Sequence, residues 1–400
     1  MKIKTLILSL IFTGTFAFAQ TKSIHFETTS FADMKAKAKR ENKLLFIGAF
    51  RSWSDPCSWM AKNIFTNDTV ADYFNSKFIN ANINTQKGEG FEIAKLYEVR
   101  CFPNLLFIDG DGKLVHRGAG VSDAEAFIKL AEDAFNPEKR FSKFTDEYAS
   151  KKADPAFLAA YIEAVSKTCL PFEDAVNDYF KTQKDENLSI RANWDMIRDY
   201  TSQYNSREFI YLLNNAEIFN KAYTADSVKS KIAEVLLNSG YSIIYPKDYN
   251  TESQSTDYKR YIDEIKKINL IDPSEVILTL DMAYTKLKGP REKFIQLAVE
   301  KGDKYCHSAY DLNSISLEIY GATNDKASML KAESWMQKAI KNKPNWHCYD
   351  TYASILYELN KKHESKTSAE KAIELAKLSG AAEDEYSGAV ELLQKIEKLK

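Results

Sequence analysis

The chain lacks, beyond its first twenty residues, any apolar run long enough to cross a bilayer. It also lacks an excess of charge: 55 Lys and Arg against 56 Asp and Glu leave −1. That balance excludes the basic footprint of a nucleic-acid or anionic-membrane binder. Cysteine is sparse, with five in 400 residues: Cys57, Cys101, Cys169, Cys306 and Cys348. Scattered in this way they form no disulfide scaffold, so a hydrophobic core must supply stability, and an odd count leaves at least one unpaired within the chain. Cys169, just before Pro171 at a helix end, reads as structural.

The same scarcity limits the chemistry. His25, His116 and His363 are isolated, and no two histidines share a helix face. There is no phosphate-cradling glycine loop and no serine-hydrolase elbow. Cys306-His307 and His347-Cys348 recur at similar points of the tail. Adjacent residues on a helix diverge, however, and the spacing is not that of a zinc motif, so no metal is expected. Asp109-Gly110-Asp111-Gly112 opens like a calcium loop, but the closing acid is missing and it reads as a turn. Nothing calls for a cofactor.

What is present begins with an export signal. Lys2 and Lys4 precede the apolar run Leu6 to Phe12, and Ala17-Phe18-Ala19 places small residues before a cleavage point. Residues 1–19 therefore read as a cleavable signal peptide, with Gln20 as the new N-terminus. No cysteine follows that would carry a lipid anchor. The expected location is a periplasm, or outside the cell, with no membrane span after cleavage.

Two regimes follow. Up to about Phe135, strands alternate with helices. Leu44-Leu45-Phe46-Ile47 is a continuous apolar run, the mark of a strand buried on both faces. Phe78 to Asn84 alternates as a second strand. Leu105–Ile108 and Lys113–His116 form a hairpin around Asp109–Gly112. Helices are expected after Ser30 and Ser122 as caps, after Cys57, and over Phe91–Tyr97. This order gives an α/β fold with helices on both faces of one sheet.

Beyond Asn136, helical spacing dominates. Asp154-Pro155 and Asp272-Pro273 mark helix starts. Helices are expected near 172–180, 190–200, 207–219 and 227–239, and the polar stretch Tyr245–Thr256 is the best linker candidate. In the tail, Tyr349–Leu375 reads as helix, turn at Asn360-Lys361-Lys362, helix; Ser308–Pro344 repeats the plan with a turn near Gly321. Alanines at the helix crossings and a closing proline resemble tetratricopeptide hairpins, with Lys362 and Ser365 departing from that pattern.

Trp53-Ser54-Asp55-Pro56-Cys57, at the end of a buried strand and the start of a helix, resembles the W-C-G-P-C motif of the thioredoxin family. Val99-Arg100-Cys101-Phe102-Pro103 resembles that family's proline loop, and the resemblance spans roughly residues 25–135. It implies a thioredoxin-like domain, residues 22–136, with Pro103 cis and facing the site. An all-α region, 140–303, and tetratricopeptide-like hairpins, 304–400, follow.

The departures decide the functional reading. The family nucleophile is a cysteine whose pKa is lowered at a helix N-terminus. Here Ser54 holds that place, and Cys57 aligns with the resolving cysteine. Gly48 stands where a buried aspartate often helps move its proton. Both changes remove two-thiol cycling. Two readings follow. One is a binding or adaptor module for an exported protein or peptide, with Trp53 and Pro103 beside the bound segment. Trp59, on the other flank, reads better as cover for its helix. The other reading is a thiol-disulfide oxidoreductase using Cys57 alone or paired with Cys101. Oligomeric state is left open.

Overall fold

The computed structural model describes residues 22–52, 54–246, 251–379, 381, 383 and 385–398. The expected signal peptide and Trp53 lie outside the described residues. The chain divides into two compact units, residues 1–184 and 185–400.

The first unit runs α1 (Phe31–Glu41), β1 (Leu44–Phe50), α2 (Asp55–Asn63), α3 (Asp68–Lys77), β2 (Phe78–Asn84), α4 (Gly90–Leu96), β3 (Asn104–Ile108), β4 (Leu114–Ala119) and α5 (Ala124–Asp133). Three further helices, α6 (Phe141–Glu147), α7 (Pro155–Ser166) and α8 (Glu173–Thr182), belong to the same unit. The sheet order is β2-β1-β3-β4. β1 pairs parallel with β2 and antiparallel with β3, and β3 and β4 form the expected hairpin. Asp109 closes its turn by accepting from the backbone N–H groups of Asp111 and Lys113.

Side-chain alternation along β1 assigns the two cores. Leu45, Ile47 and Ala49 join Met34, Ala38, Ile93 and Leu106 under α1 and α4. Phe46 points the other way, into a core with Met60, Phe65, Phe74, Phe107 and Phe127. Both sets are essentially inaccessible, which is why β1 carries no polar side chain. The Phe46 ring lies 4.9 Å from Phe74 and 5.3 Å from Phe107, and Phe74 stacks on Phe127 at 4.4 Å. Such aromatic contacts add to plain burial.

Capping confirms most starts. Ser30 accepts from Asp33 N–H and opens α1, and Asp154 accepts from Ala156 and Phe157 N–H and opens α7. At α5 the cap is Asp123 rather than Ser122, because the Asp123 carboxylate accepts from Ala126 N–H at 2.8 Å.

The second unit is wholly helical among its described residues: α9 (Arg191–Tyr200), α10 (Arg207–Asn214), α11 (Ala216–Ala222), α12 (Ala225–Ile244), α13 (Thr251–Ile265), α14 (Ser274–Lys288), α15 (Arg291–Lys304), α16 (Ala309–Ala322), α17 (Lys326–Asn342), α18 (Trp346–Glu358), α19 (Lys362–Leu378) and α20 (Ser387–Glu397). Two expectations are corrected. The single helix read over 207–219 breaks at Asn215, whose side chain donates back to Tyr211 O. The stretch read as a linker, Tyr245–Thr256, is helical from Thr251.

From α14 onward the helices pair as α14 with α15, α16 with α17 and α18 with α19. Small residues permit close approach. A Cβ on Gly302 of α15 would lie 2.4 Å from the Trp335 ring of α17. Ala332, Ala339, Ala353 and Ala372 are fully buried at the crossings. Ser365 is equally buried, and its hydroxyl donates to Ala353 O at 2.8 Å. A serine therefore fits where an alanine would, because its polar atom has a partner.

His116 of β4 joins α6 to the sheet. Its Nδ1 accepts from Phe141 N–H at 3.0 Å, and its buried Nε2 has no partner among the described residues. Burial pushes its pKa down to about 4 from 6.5, against a weaker opposing pull from Asp133. The folded state therefore binds fewer protons than the unfolded chain between those values. Stability should be fully present above pH 6.5 and fall by about 3 kcal/mol as pH drops towards 4. Urea unfolding of the native chain and a His116→Gln variant across that range measures this; the variant should lack that part of the slope.

Candidate functional site

The site forms where β1 ends and α2 begins. Ser54 is the N-cap residue of α2, and Pro56 occupies its first turn, where a missing N–H costs nothing. Ser54 is 6% exposed. Its carbonyl accepts from Ser58 N–H at 3.1 Å, and its hydroxyl makes no capping bond. No base hydrogen-bonds to that hydroxyl among the described residues, so Ser54 has nothing to activate it as a nucleophile.

Cys57 lies on the inward face of α2, 7% exposed, with a free thiol. Gly48 lies beneath it. In β1, Gly48 shares the face of Phe46 and pairs in register with Asn82 of β2. A Cβ at Gly48 would sit 3.1 Å from Asn82 Oδ1, so the amide occupies the space into which a side chain here would grow. A cavity of about 120 Å³ lies beside Cys57, bounded by Gly48, Met60, Phe65, Asn82 and Pro103. Among the described residues, its one titratable neighbour besides the thiol is Arg51, whose guanidinium lies 4.4 Å from the Phe102 ring, and no carboxylate lines it. A proton leaving Cys57 therefore has no acid-base partner there.

Pro103 closes the cavity from the opposite side. The Phe102–Pro103 bond is cis, as the family resemblance implies, and Pro103 O accepts from Gly120 N–H at 2.9 Å. Two apolar side chains near in sequence to these elements are exposed: Trp59 on α2 at 45%, and Val121, next to Gly120, at 52%. Trp59 is therefore only half covered, although a tryptophan covering its helix would be largely buried.

The reading of Cys101 as a partner for Cys57 is corrected. Cys101 is bonded to Cys169, with Cα atoms 6.2 Å apart, within the span a disulfide bridges. Cys57 remains a lone thiol under α2, while the half-buried Cys101 is turned towards the end of α7. This bridge ties the proline loop to the helices that follow the sheet. Sequence reasoning missed it because connectivity cannot be read from cysteine positions. The one available signal was that Cys169 precedes Pro171 at a helix end, where an exposed turn can reach another loop.

Cys306 and Cys348 are buried in the core of the second unit. Burial raises both thiol pKa values, and Cys348 Sγ contacts Ala309 O at 3.9 Å. Among the described residues, no group of three His, Cys, Asp or Glu gathers to hold a metal, and no helix is long and apolar enough to cross a membrane.

This arrangement predicts a thiol inventory. Denatured but unreduced chain should yield three free thiols, from Cys57, Cys306 and Cys348. In the folded chain each should react with a small disulfide reagent at least about tenfold more slowly than free cysteine. A rapidly labelled Cys57 would contradict the buried placement.

Comparison with known proteins agrees with this architecture. A family model for a thioredoxin-like domain matches residues 31–135. A solution structure from Bacteroides thetaiotaomicron, provisionally named a disulphide-isomerase, is 39% identical; the match covers 98% of that chain and 30% of this one, with a TM-score of 0.28. A DsbH oxidoreductase structure is 19% identical, covering 94% of that chain and 33% of this one, with a TM-score of 0.26. No curated protein matches significantly. The first unit thus holds a thioredoxin-like domain over residues 31–135.

Proposed function

We propose that this chain is an exported binding protein. Its thioredoxin-like domain receives an extended segment of another exported polypeptide beside Pro103, without dithiol cycling at α2. Its helical region, ending in tetratricopeptide-like hairpins, presents a surface to a protein partner. One observation carries the reading: Cys57 has no second thiol. Ser54 stands in the nucleophile's place, Cys101 is bonded to Cys169, and Gly48 leaves the cavity without a carboxylate. What supports a binding role is the cleft beside Cys57, lined by Phe50, Met60, Phe65 and the cis Pro103, with Trp59 exposed on the same helix as Cys57. Trp53 and Pro103 would flank the bound segment. Main-chain pairing along an exposed edge and apolar contacts in such a cleft need no thiol chemistry.

The names of the two related structures favour a second reading, thiol-disulfide exchange through Cys57. Ser54 cannot form the mixed disulfide that such an exchange begins with, and Cys57 is buried.

Reduction of a model disulfide separates the two. The native chain should show no turnover that depends on Cys57, and Cys57→Ser should leave any background rate unchanged. Ser54→Cys, which restores a thiol at the helix N-terminus, should raise turnover by at least about tenfold. Turnover by the native chain that is lost in Cys57→Ser would replace the binding reading with the redox one.

Export itself is proposed from the signal at residues 1–19. Chain recovered from the exported fraction should begin at Gln20 on N-terminal sequencing; an intact Met1 would overturn this part.

A further inference from the structure

We propose that the Cys101–Cys169 disulfide is itself a redox-active site, opened by attack of an incoming cysteine thiolate on the sulfur of Cys169, the more exposed residue of the two, with Cys101 as the leaving group. The site is distinct from the Ser54–Cys57 position and goes beyond the binding role.

The two ends of the bond differ in ways that set the direction of attack. Cys169 is solvent-exposed after the C-terminus of α7, whereas Cys101 is half-buried two residues before Pro103. Exchange requires a nucleophile to reach one sulfur, and access selects Cys169. Cys169 also holds a left-handed backbone, φ 60°. That conformation is disfavoured for a residue other than Gly, Asn or Asp and persists only where its surroundings impose it. The bridge to Cys101 is one such constraint, so opening it lets the backbone relax.

The leaving side is built for charge. Asn104 is fully buried, and its Nδ2 lies 3.9 Å from Cys101 Sγ, placed to donate. Its Oδ1 accepts from the Arg117 guanidinium at 3.0 Å. Arg117 is itself 3% exposed and is held by the carbonyls of Tyr97 and Glu98. A cation behind the amide polarises its N–H towards the sulfur, and a better stabilised thiolate leaves faster. Among the described residues, no comparable donor stands at Cys169.

The step balances as follows. A partner thiolate attacks Cys169 Sγ; the new S–S bond forms as the Cys169–Cys101 bond breaks, and the electron pair departs with Cys101 Sγ. A second thiolate of the same partner then attacks the partner sulfur of the mixed disulfide and releases Cys169 as thiolate. The partner leaves with a disulfide, oxidised by two electrons. The chain keeps two thiols, which take up the two protons that the partner's thiols gave up. The substrate class is therefore an exported polypeptide with two cysteines in reach of each other.

The test uses the full oxidised chain under native conditions, with reduced glutathione as the probe. Acid-quenched samples should carry glutathione on Cys169 with Cys101 free, mapped by mass spectrometry. A reduced two-cysteine peptide should be oxidised in one-to-one amount by the native chain and not by Cys169→Ser. Asn104→Ala, if circular dichroism shows it folded, should open about tenfold more slowly with the adduct still on Cys169. A bond that resists glutathione until the chain is denatured, or an adduct formed first on Cys101, would overturn the proposal. Glutathione needs no peptide groove, so this outcome is independent of whether the binding reading stands.

Discussion

The first unit depends on one constraint: β1 is apolar on both faces and must be covered on both. Leu45 and Ile47 require α1 and α4 on one side, and Phe46 requires α2, α3 and α5 on the other. Covering Phe46 with Met60 of α2 fixes where that helix starts, just past the C-terminal end of β1. In an open α/β sheet that end is where ligands meet the fold. The position of Cys57 is thus a consequence of burying β1, and it would be the same whatever residue stood at 54. The fold therefore sets the place of this residue independently of any chemistry performed there.

The features around α2 agree with one another. With serine at 54, α2 carries one thiol, that of Cys57. With glycine at 48, that position of β1 offers no carboxylate. The Asn82 amide facing Gly48 carries no charge, and a buried charge without a partner would be costly in that place. A carboxylate placed beside Cys57 would carry that cost.

The disulfide changes what counts as the domain. Helices α6 to α8 lie outside the matched region 31–135, yet they belong to the same compact unit and are tied to it covalently at Cys101. His116 joins them a second time, through the N–H that opens α6. The proline loop is therefore held from both sides, by the sheet through Asn104 and Arg117 and by the later helices through Cys169. A bound polypeptide beside Pro103 would meet a loop stiffer than an unbridged one.

Local pattern determined much of this protein. The strand order up to residue 119, the turn at Asp109–Gly112, the caps at Ser30 and Asp154 and the paired tail helices were legible, because each rests on periodicity or on a side chain bonding to nearby backbone. So was the start of α2 just after Ser54, which rests on Pro56 in its first turn. Where local signals competed, the sequence misled: Ser122 and Asp123 are both good caps, and polar Thr251–Thr256 carries no apolar stripe although it is helical. Tertiary structure alone decided the cavity beside Cys57, the half-covered Trp59 and the partner of Cys101. Each depends on segments far apart in the chain, and 68 residues separate the two bonded cysteines. No periodicity reports such a meeting; only the packing of α7 against the sheet's own unit brings those sulfurs together, and it leaves the serine at 54 beside a cysteine with nothing to pair with.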